Sequence, residues 1–282
     1  MGQTLIEKIM ARHTGRSSLT PGENVWTEID ILMTHDVCGP GTIGVFEREF
    51  GKNARVFDPD RVILIPDHYI FTKDEKCRRN IDILRDFAAR QGITHFYDPG
   101  TPSYRGVCHA TLAEEGHTRP GEVLVGTDSH SCTAGAFGEF ATGIGNTDAG
   151  FAMGTGKLLL KVPHSLLFTL DAPLREGVMA KDLILTIIGR IGVAGATYMA
   201  MEFRGDGVTA LSMEDRMTVC NMAIEAGGKC GVIASDEVTR AYVDARTSIP
   251  YTDVNSDPDA SYREEVTLRS DEIVPCVARP HS

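Results

Sequence analysis

The sequence predicts an α/β fold with mostly parallel sheets flanked by helices, on three observations. Short apolar runs of strand length alternate with amphipathic stretches of helix length. Several apolar runs end abruptly in Asp and His, as strands of an open parallel sheet do where they meet a ligand crevice. The alternation begins afresh near Ser165, so the 282 residues hold more than one unit.

Taken in order, Thr4 and Glu7 form a capping box ahead of LIEKIMARH, and Gly15 suits the end of that helix. TEIDILMTHDV reads as a strand running into a polar loop. RVILIPDHY does the same, with residues 62–65 apolar before Pro66, Asp67 and His68. CRRNIDILRDFAARQG sets Ile81, Leu84, Phe87 and Ala88 on one helical face, with Gly92 as its stop. ITHFYD and EVLVGTDSH predict two further strands, and residues 136–160, rich in Gly and Ala, predict helices and turns packed close to them. From Ser165, SLLFTLD reads as a strand, MAKDLILTIIGRIG and MEDRMTVCNMAIEAGG as helices, and CGVIASD as a strand. DEVTRAYVDAR is a helix with Asp236 at its N-cap. The division is therefore 1–164, 165–250, and a polar 251–282 expected to be a linker and the entry to a further domain.

Composition narrows the function. At 42% hydrophobic the chain can bury a substantial core, and a net charge of −11 argues against a nucleic-acid surface. No apolar run reaches membrane-span length, and no signal-peptide pattern opens the sequence. Seven cysteines without C-x-x-C spacing suit reduced thiols. The expectation is a cytoplasmic protein that binds neither nucleic acid nor membrane.

The polar strand ends carry the chemistry. His35-Asp36, Asp67-His68 and Asp128-Ser129-His130 would converge beyond the carboxyl edge of one sheet, with His109 joining from a following loop. An Asp beside a His favours the imidazolium, giving a proton donor usable near neutral pH. Any one such ending is ordinarily a cap or a surface loop residue; three together favour a site. His95 reads as structural, and His117 and His164 as loop residues. GTGK at 154–157 lacks the P-loop spacing, and GIGNTDAG at 143–150 lacks the third glycine of a dinucleotide fingerprint. Residue physics alone is indifferent about Glu202.

Together these residues resemble the aconitase superfamily, nearest its isopropylmalate-dehydratase branch. The resemblance rests on PDH at 66–68, GVCH at 106–109, GTDSHSCTAGAFGEFATGIGNTDAG from 126, GTGKLLLKVP from 154, MEFRGDG at 201 and RMTVCNMAIEAGGKCG from 216. It implies a hydro-lyase that isomerises a 2- or 3-hydroxy di- or tricarboxylic acid at a [4Fe–4S] cluster. It further implies that Asp67 and His68 protonate the departing hydroxyl, that His109 and Asp128 form a supporting pair, and that Ser129 and His130 organise the cluster-proximal pocket. Glu202 would hydrogen-bond the iron-bound hydroxyl. Departures at Gly41, Ala134 and Leu159 put the substrate's identity in doubt, leaving homoaconitate and dimethylmalate as alternatives to isopropylmalate.

The resemblance also places three cluster cysteines beyond VARPHS, where none of these residues lies. The 282 residues alone are therefore expected to bind no cluster and to be inactive, and the partners expected are the hydroxy acid and a small swivel-domain subunit. Apolar surface near the end of the chain is expected to produce either a disordered tail or a homo-oligomer. Two other function classes stand beside the hydro-lyase: a truncated, non-catalytic binding or assembly module, and, more weakly, a metal hydrolase with zinc on His68, His109 and His130.

Overall fold

Strand pairing in the computed structural model, which describes residues 2–279, follows directly from two kinds of apolar pattern. In chain order the elements are α1 (Leu5–Thr14), β1 (Asn24–Glu28), β2 (Ile31–Thr34), α2 (Gly39–Phe50), β3 (Val62–Leu64), α3 (Glu75–Gln91) and α4 (Cys108–Glu114). Next come β4 (Val123–Gly126), β5 (Phe140–Gly143), α5 (Asn146–Thr155) and β6 (Lys157–Lys161). Last come β7 (Ser165–Leu170), α6 (Ala180–Ile191), β8 (Ala200–Arg204), α7 (Asp206–Thr209), α8 (Met213–Asn221), β9 (Cys230–Ile233), α9 (Glu237–Asp244) and β10 (Glu264–Leu268).

The continuous apolar runs β2, β3 and β4 are buried along their whole length, as strands covered on both faces must be. They form a parallel sheet in the order β3-β2-β4-β5. A second parallel sheet runs β10-β7-β8-β9. The alternating runs β1 and β6 pair antiparallel with one face open, where Trp26 and Leu159 stand opposite each other. The helix signals hold: Thr4 and Glu7 make the capping box, Gly15 and Gly92 end their helices in the left-handed conformation, and Asp236 caps α9.

The two sheets share a core. Leu5, Ile6 and Ile9 of α1 and Val123, Val125 and Phe140 of the first sheet cluster with Ala200, Cys230 and Val232 of the second. A separate cluster fills the space between β7, β8, α6 and α8, with Phe168, Phe203, Leu183, Ile187 and Val219 all buried.

Three expectations need correcting. TEIDILMTHDV is two strands, because the chain turns at Asp30, whose carboxylate accepts from the Val123 N–H (2.8 Å), from His13 Nε2 (2.7 Å) and from Arg61. ITHFYD makes only a single bridge, Phe96 to Leu64. The supposed linker is part of the body. β10 adds to the second sheet beside β7, Ser256 Oγ accepts the Leu5 N–H (2.7 Å), and Asp257 takes the Gln3 N–H and the Lys8 ammonium. A polar, turn-rich stretch hides such a role because its attachment is by hydrogen bonds to distant backbone and not by an apolar period.

Candidate active site

The parallel register Thr34 to Leu64 and Met33 to Gly126 brings the carboxyl ends of β2, β3 and β4 level. The three polar endings anticipated in the sequence therefore meet. Asp36, fully buried, does not face the crevice chemically. Its Oδ1 accepts the N–H groups of Asp67 (2.9 Å) and His68 (3.0 Å), its Oδ2 that of Tyr69 (2.7 Å), and its carbonyl the Asn80 amide (2.9 Å). It fixes the loop that carries the next pair.

In that loop Asp67 Oδ2 accepts the Cys108 N–H at 2.6 Å, and Oδ1 lies 2.5 Å from His68 Nδ1. The His68 ring stacks on His35, centroids 4.1 Å apart and planes 14° from parallel. Its Nε2 reaches to 3.5 Å from Asp128 Oδ2, so His68 lies between two carboxylates. Asp128 is the hub. Its Oδ1 takes His109 Nε2 at 3.0 Å and the His130 N–H at 2.7 Å, and its Oδ2 faces His35 Nε2 at 4.0 Å.

These contacts fix charge. The His109 hydrogen bond, then the His130 N–H and the neighbouring imidazoles, hold the Asp128 carboxyl well below the usual carboxylate range, against the opposing effect of burial. Burial, and then the charge on His68, push the His35 imidazole below its ordinary value. His35 Nδ1 accepts the Val37 N–H (3.3 Å), which leaves the proton on Nε2, a buried nitrogen without a hydrogen-bond partner. Nδ1 of His109 is likewise buried and without a partner.

Asp128 also caps the 3₁₀ turn 129–137, which lies directly on β9. A Cβ at Gly135 would stand 1.8 Å from the Gly231 carbonyl oxygen, so only glycine permits the approach. At the start of this turn Ser129 Oγ lies 3.1 Å from His130 Nδ1, and His130 Nε2 lies 3.1 Å from Glu225 Oε1. A cleft of about 730 Å³ opens beside them, lined among others by His109, His130, Lys181, Met217, Asn221 and Glu225.

Six of the seven site residues expected from the sequence thus come together: Asp67, His68, His109, Asp128, Ser129 and His130. Glu202 does not. It sits mid-strand in β8, buried, accepting from Ser256 Oγ (2.8 Å) and the Tyr262 hydroxyl (2.9 Å), and burial pushes its carboxyl above the ordinary value. Its work is to hold the 251–279 segment to the second sheet. A glutamate that does line the cleft, with Glu114 and Glu214, is Glu225, which sequence reasoning missed. Its only signal was a position between the helical MEDRMTVCN and the Gly-Gly turn at 227–228.

Two metal readings can be tested on the geometry. His35, Asp36, Asp67 and His68 have ligand atoms within 4.8 Å of one another. However, the two carboxylates already take five hydrogen bonds, four from backbone N–H groups and one from His68 Nδ1. A zinc site on His68, His109 and His130 is not assembled, since the first two direct Nε2 at Asp128 and the third at Glu225. For an iron–sulfur cluster the cysteines do not fit. Cys108, Cys132, Cys220 and Cys230 are buried with their thiols pushed up by that burial, and no metal-competent group among the described residues contains a cysteine.

The model of the aconitase family (aconitate hydratase) matches residues 7–282. The chain belongs to the aconitase family. It is 56% identical to the chloroplastic 3-isopropylmalate dehydratase large subunit of Arabidopsis thaliana, over all of this chain and 57% of that protein. It is 49% identical to the 3-isopropylmalate dehydratase large subunit of Syntrophus aciditrophicus and 47% identical to the probable one of Methanothermobacter thermautotrophicus, again over its whole length and 66% of theirs. This aconitase-family chain thus spans about three-fifths to two-thirds of the length of these relatives. Among its described residues no helix is long and apolar enough to cross a membrane.

Proposed function

We propose that this chain supplies the acid/base wall of a hydro-lyase large subunit of the 3-isopropylmalate dehydratase type. The observation that carries the proposal is the hub at Asp128, which holds His109 and faces His68 while Asp67 grips His68 from the other side. The relatives' names support the substrate class, a branched hydroxy diacid, and a small subunit as partner.

In this reading His68 delivers a proton to the hydroxyl that leaves during dehydration and recovers it on rehydration. Asp67 orients the ring through Nδ1, and Asp36 fixes the loop. Asp128, kept ionised by His109 and the His130 N–H, stabilises positive charge on His68 and is a poor proton acceptor itself. Glu225, paired with His130 in the cleft lining, takes the place of Glu202, to which the resemblance had assigned a hydrogen bond to the departing hydroxyl. The [4Fe–4S] cluster that such an enzyme uses would take its ligands from outside the described residues. Seven unpaired thiols support a reducing, cytoplasmic setting.

The test is a chimera in which residues 1–282 replace the matching part of the Arabidopsis large subunit, assembled with its small subunit. The chimera should interconvert 3-isopropylmalate and its unsaturated diacid, and H68Q should lower turnover at least 100-fold. A chimera selective for homoaconitate or dimethylmalate would move the substrate. A folded chimera inactive on every hydroxy diacid would refute the reading.

A further inference from the structure

Where the two sheets meet, two glutamates lie side by side that the acid/base wall does not use. β4 and β5 run parallel with Val123 opposite Phe140, and the Phe140 N–H donates to the Glu122 carbonyl at 2.9 Å. The register therefore sets Glu122 and Glu139, the residues just before that pair, next to each other on one face. Two ionised carboxylates so placed repel each other.

Their partners are divided unevenly. Glu122 Oε1 accepts from Arg119 Nε at 2.7 Å. Glu139 is fully buried, and among the described residues neither of its carboxyl oxygens has a hydrogen-bond partner. Glu122 Oε2 is buried and without a partner as well. A buried carboxylate left alone takes up a proton, because that costs less than desolvating its charge. An acid on one side donating its O–H to the free carboxylate oxygen on the other satisfies both groups. Burial first, then the charge on Glu122, push the Glu139 carboxyl well above its ordinary value, against the opposing pull of Arg119.

The other groups around the pair are already matched or uncharged. Asp30, in the turn between β1 and β2, takes His13 and Arg61, and Arg119 also donates to the Gly116 carbonyl at 3.0 Å. Arg12 of α1 reaches over Gly121, where a Cβ would stand 3.5 Å from its guanidinium. β9 faces the pair with Cys230, whose Sγ lies 4.0 Å from the Glu139 carbonyl oxygen and whose thiol burial keeps neutral.

This place is a joint. Val123 and Phe140, which follow the two glutamates, share their core with Ala200, Cys230 and Val232 of the second sheet. Gly138, which precedes Glu139, has φ at 78°, and a Cβ there would stand 3.0 Å from the Ser235 nitrogen. The backbone leaving β9 thus closes on the backbone entering β5, with the unpartnered acid inside.

We propose that Glu139 and Glu122 share one proton across the β4–β5 register, and that opening the joint between the sheets releases this proton to water, so that the joint loosens as pH rises. The direction follows from linkage. The unfolded or opened chain gives up the proton near 4.5, while the closed chain keeps it to higher pH. The contribution to stability is therefore complete below 4.5 and is lost as pH rises above it.

The experiment is infrared spectroscopy of the 282-residue chain at about pH 7, where an unperturbed glutamate is ionised. The expected result is a carboxylic-acid C=O stretch that E139Q loses. E122Q should lose it too, because Arg119 is then freed to pair with an ionised Glu139. A wild-type spectrum without an acid band would overturn the proposal whether or not the variants fold. A band kept in E139Q would overturn it as well, and one lost in E139Q but kept in E122Q would show that burial alone holds the proton. Hydrogen exchange of the 138–142 and 230–233 amides, corrected for the intrinsic effect of pH, reads the joint. Relative to E139Q, opening in the wild type should become easier by about tenfold per pH unit above 4.5. Equal pH dependence in the two proteins would overturn the link to the joint. Stabilisation by potassium or magnesium chloride beyond choline chloride of equal ionic strength, lost in E139Q and without an acid band, would replace the proton with a metal cation and overturn the proposal.

Discussion

His117 should make stability fall on mild acidification. The ring is buried, its Nε2 accepts the Tyr97 hydroxyl at 2.6 Å, and His95 packs edge-on with centroids 4.5 Å apart. Burial first, then the charges of His95 and Arg119, bring His117 from 6.5 to about 3, while burial pushes the Tyr97 hydroxyl up to about 12 so that it stays a donor. Between pH 6.5 and 3 the unfolded chain therefore binds a proton that the folded chain does not. Stability is full above 6.5 and declines as pH falls through that window. Between about pH 7 and about pH 5 the loss from this residue alone is about 2 kcal/mol. The perturbation is H117Q, which keeps an acceptor for Tyr97 and removes the titration. Urea unfolding of both proteins at the two pH values is the assay. Histidines that do not touch residue 117 contribute equally to both, so the wild-type advantage should shrink by about 2 kcal/mol at about pH 5. A gap that stays constant to within about 0.5 kcal/mol would mean that His117 is not held neutral, and the argument from burial would fail.

D128N should cost about 1.5–3 kcal/mol near neutral pH, since His109 and the His130 N–H lose a charged acceptor. Because the Asp128 carboxyl is held below its ordinary value of 3.8, that cost should be full above this value and fade as pH falls below it, which urea melts across the acid range would trace. E202Q should destabilise by about 1–2 kcal/mol through Ser256 and Tyr262, while E225Q, at an exposed side chain, should change stability by less than about 0.5 kcal/mol and instead lower turnover in the assembled chimera. The reverse pattern would return Glu202 to the site. R216M should cost about 3–5 kcal/mol, because Arg216, fully buried, spans Asp236 Oδ1 and Oδ2 (2.7 and 2.6 Å) and the Thr209 and Leu211 carbonyls. Thermal denaturation of the two proteins would check it.

Sequence by itself determined what depends on local pattern. Buried parallel strands must be apolar throughout, so β2, β3, β4 and β9 announced themselves. Caps need particular side chains at particular offsets, so Thr4, Glu7 and Asp236 were legible. The polar strand ends were legible too, because a parallel sheet aligns its carboxyl edges, and an Asp/His pair repeated at three of them gathers at one crevice. Only tertiary structure decided how those residues divide the work. Asp36 and Asp67 follow their strands alike in sequence, yet backbone N–H groups consume one carboxylate and leave the other to orient His68. Glu202 and Glu225 are equally plausible glutamates in the sequence. One lies inside β8 beneath the folded-back segment 251–279, and the other stands at the cleft beside His130. That distinction is set by which distant backbone crosses each side chain, and contacts between residues far apart in the chain leave no period or spacing for a sequence to display.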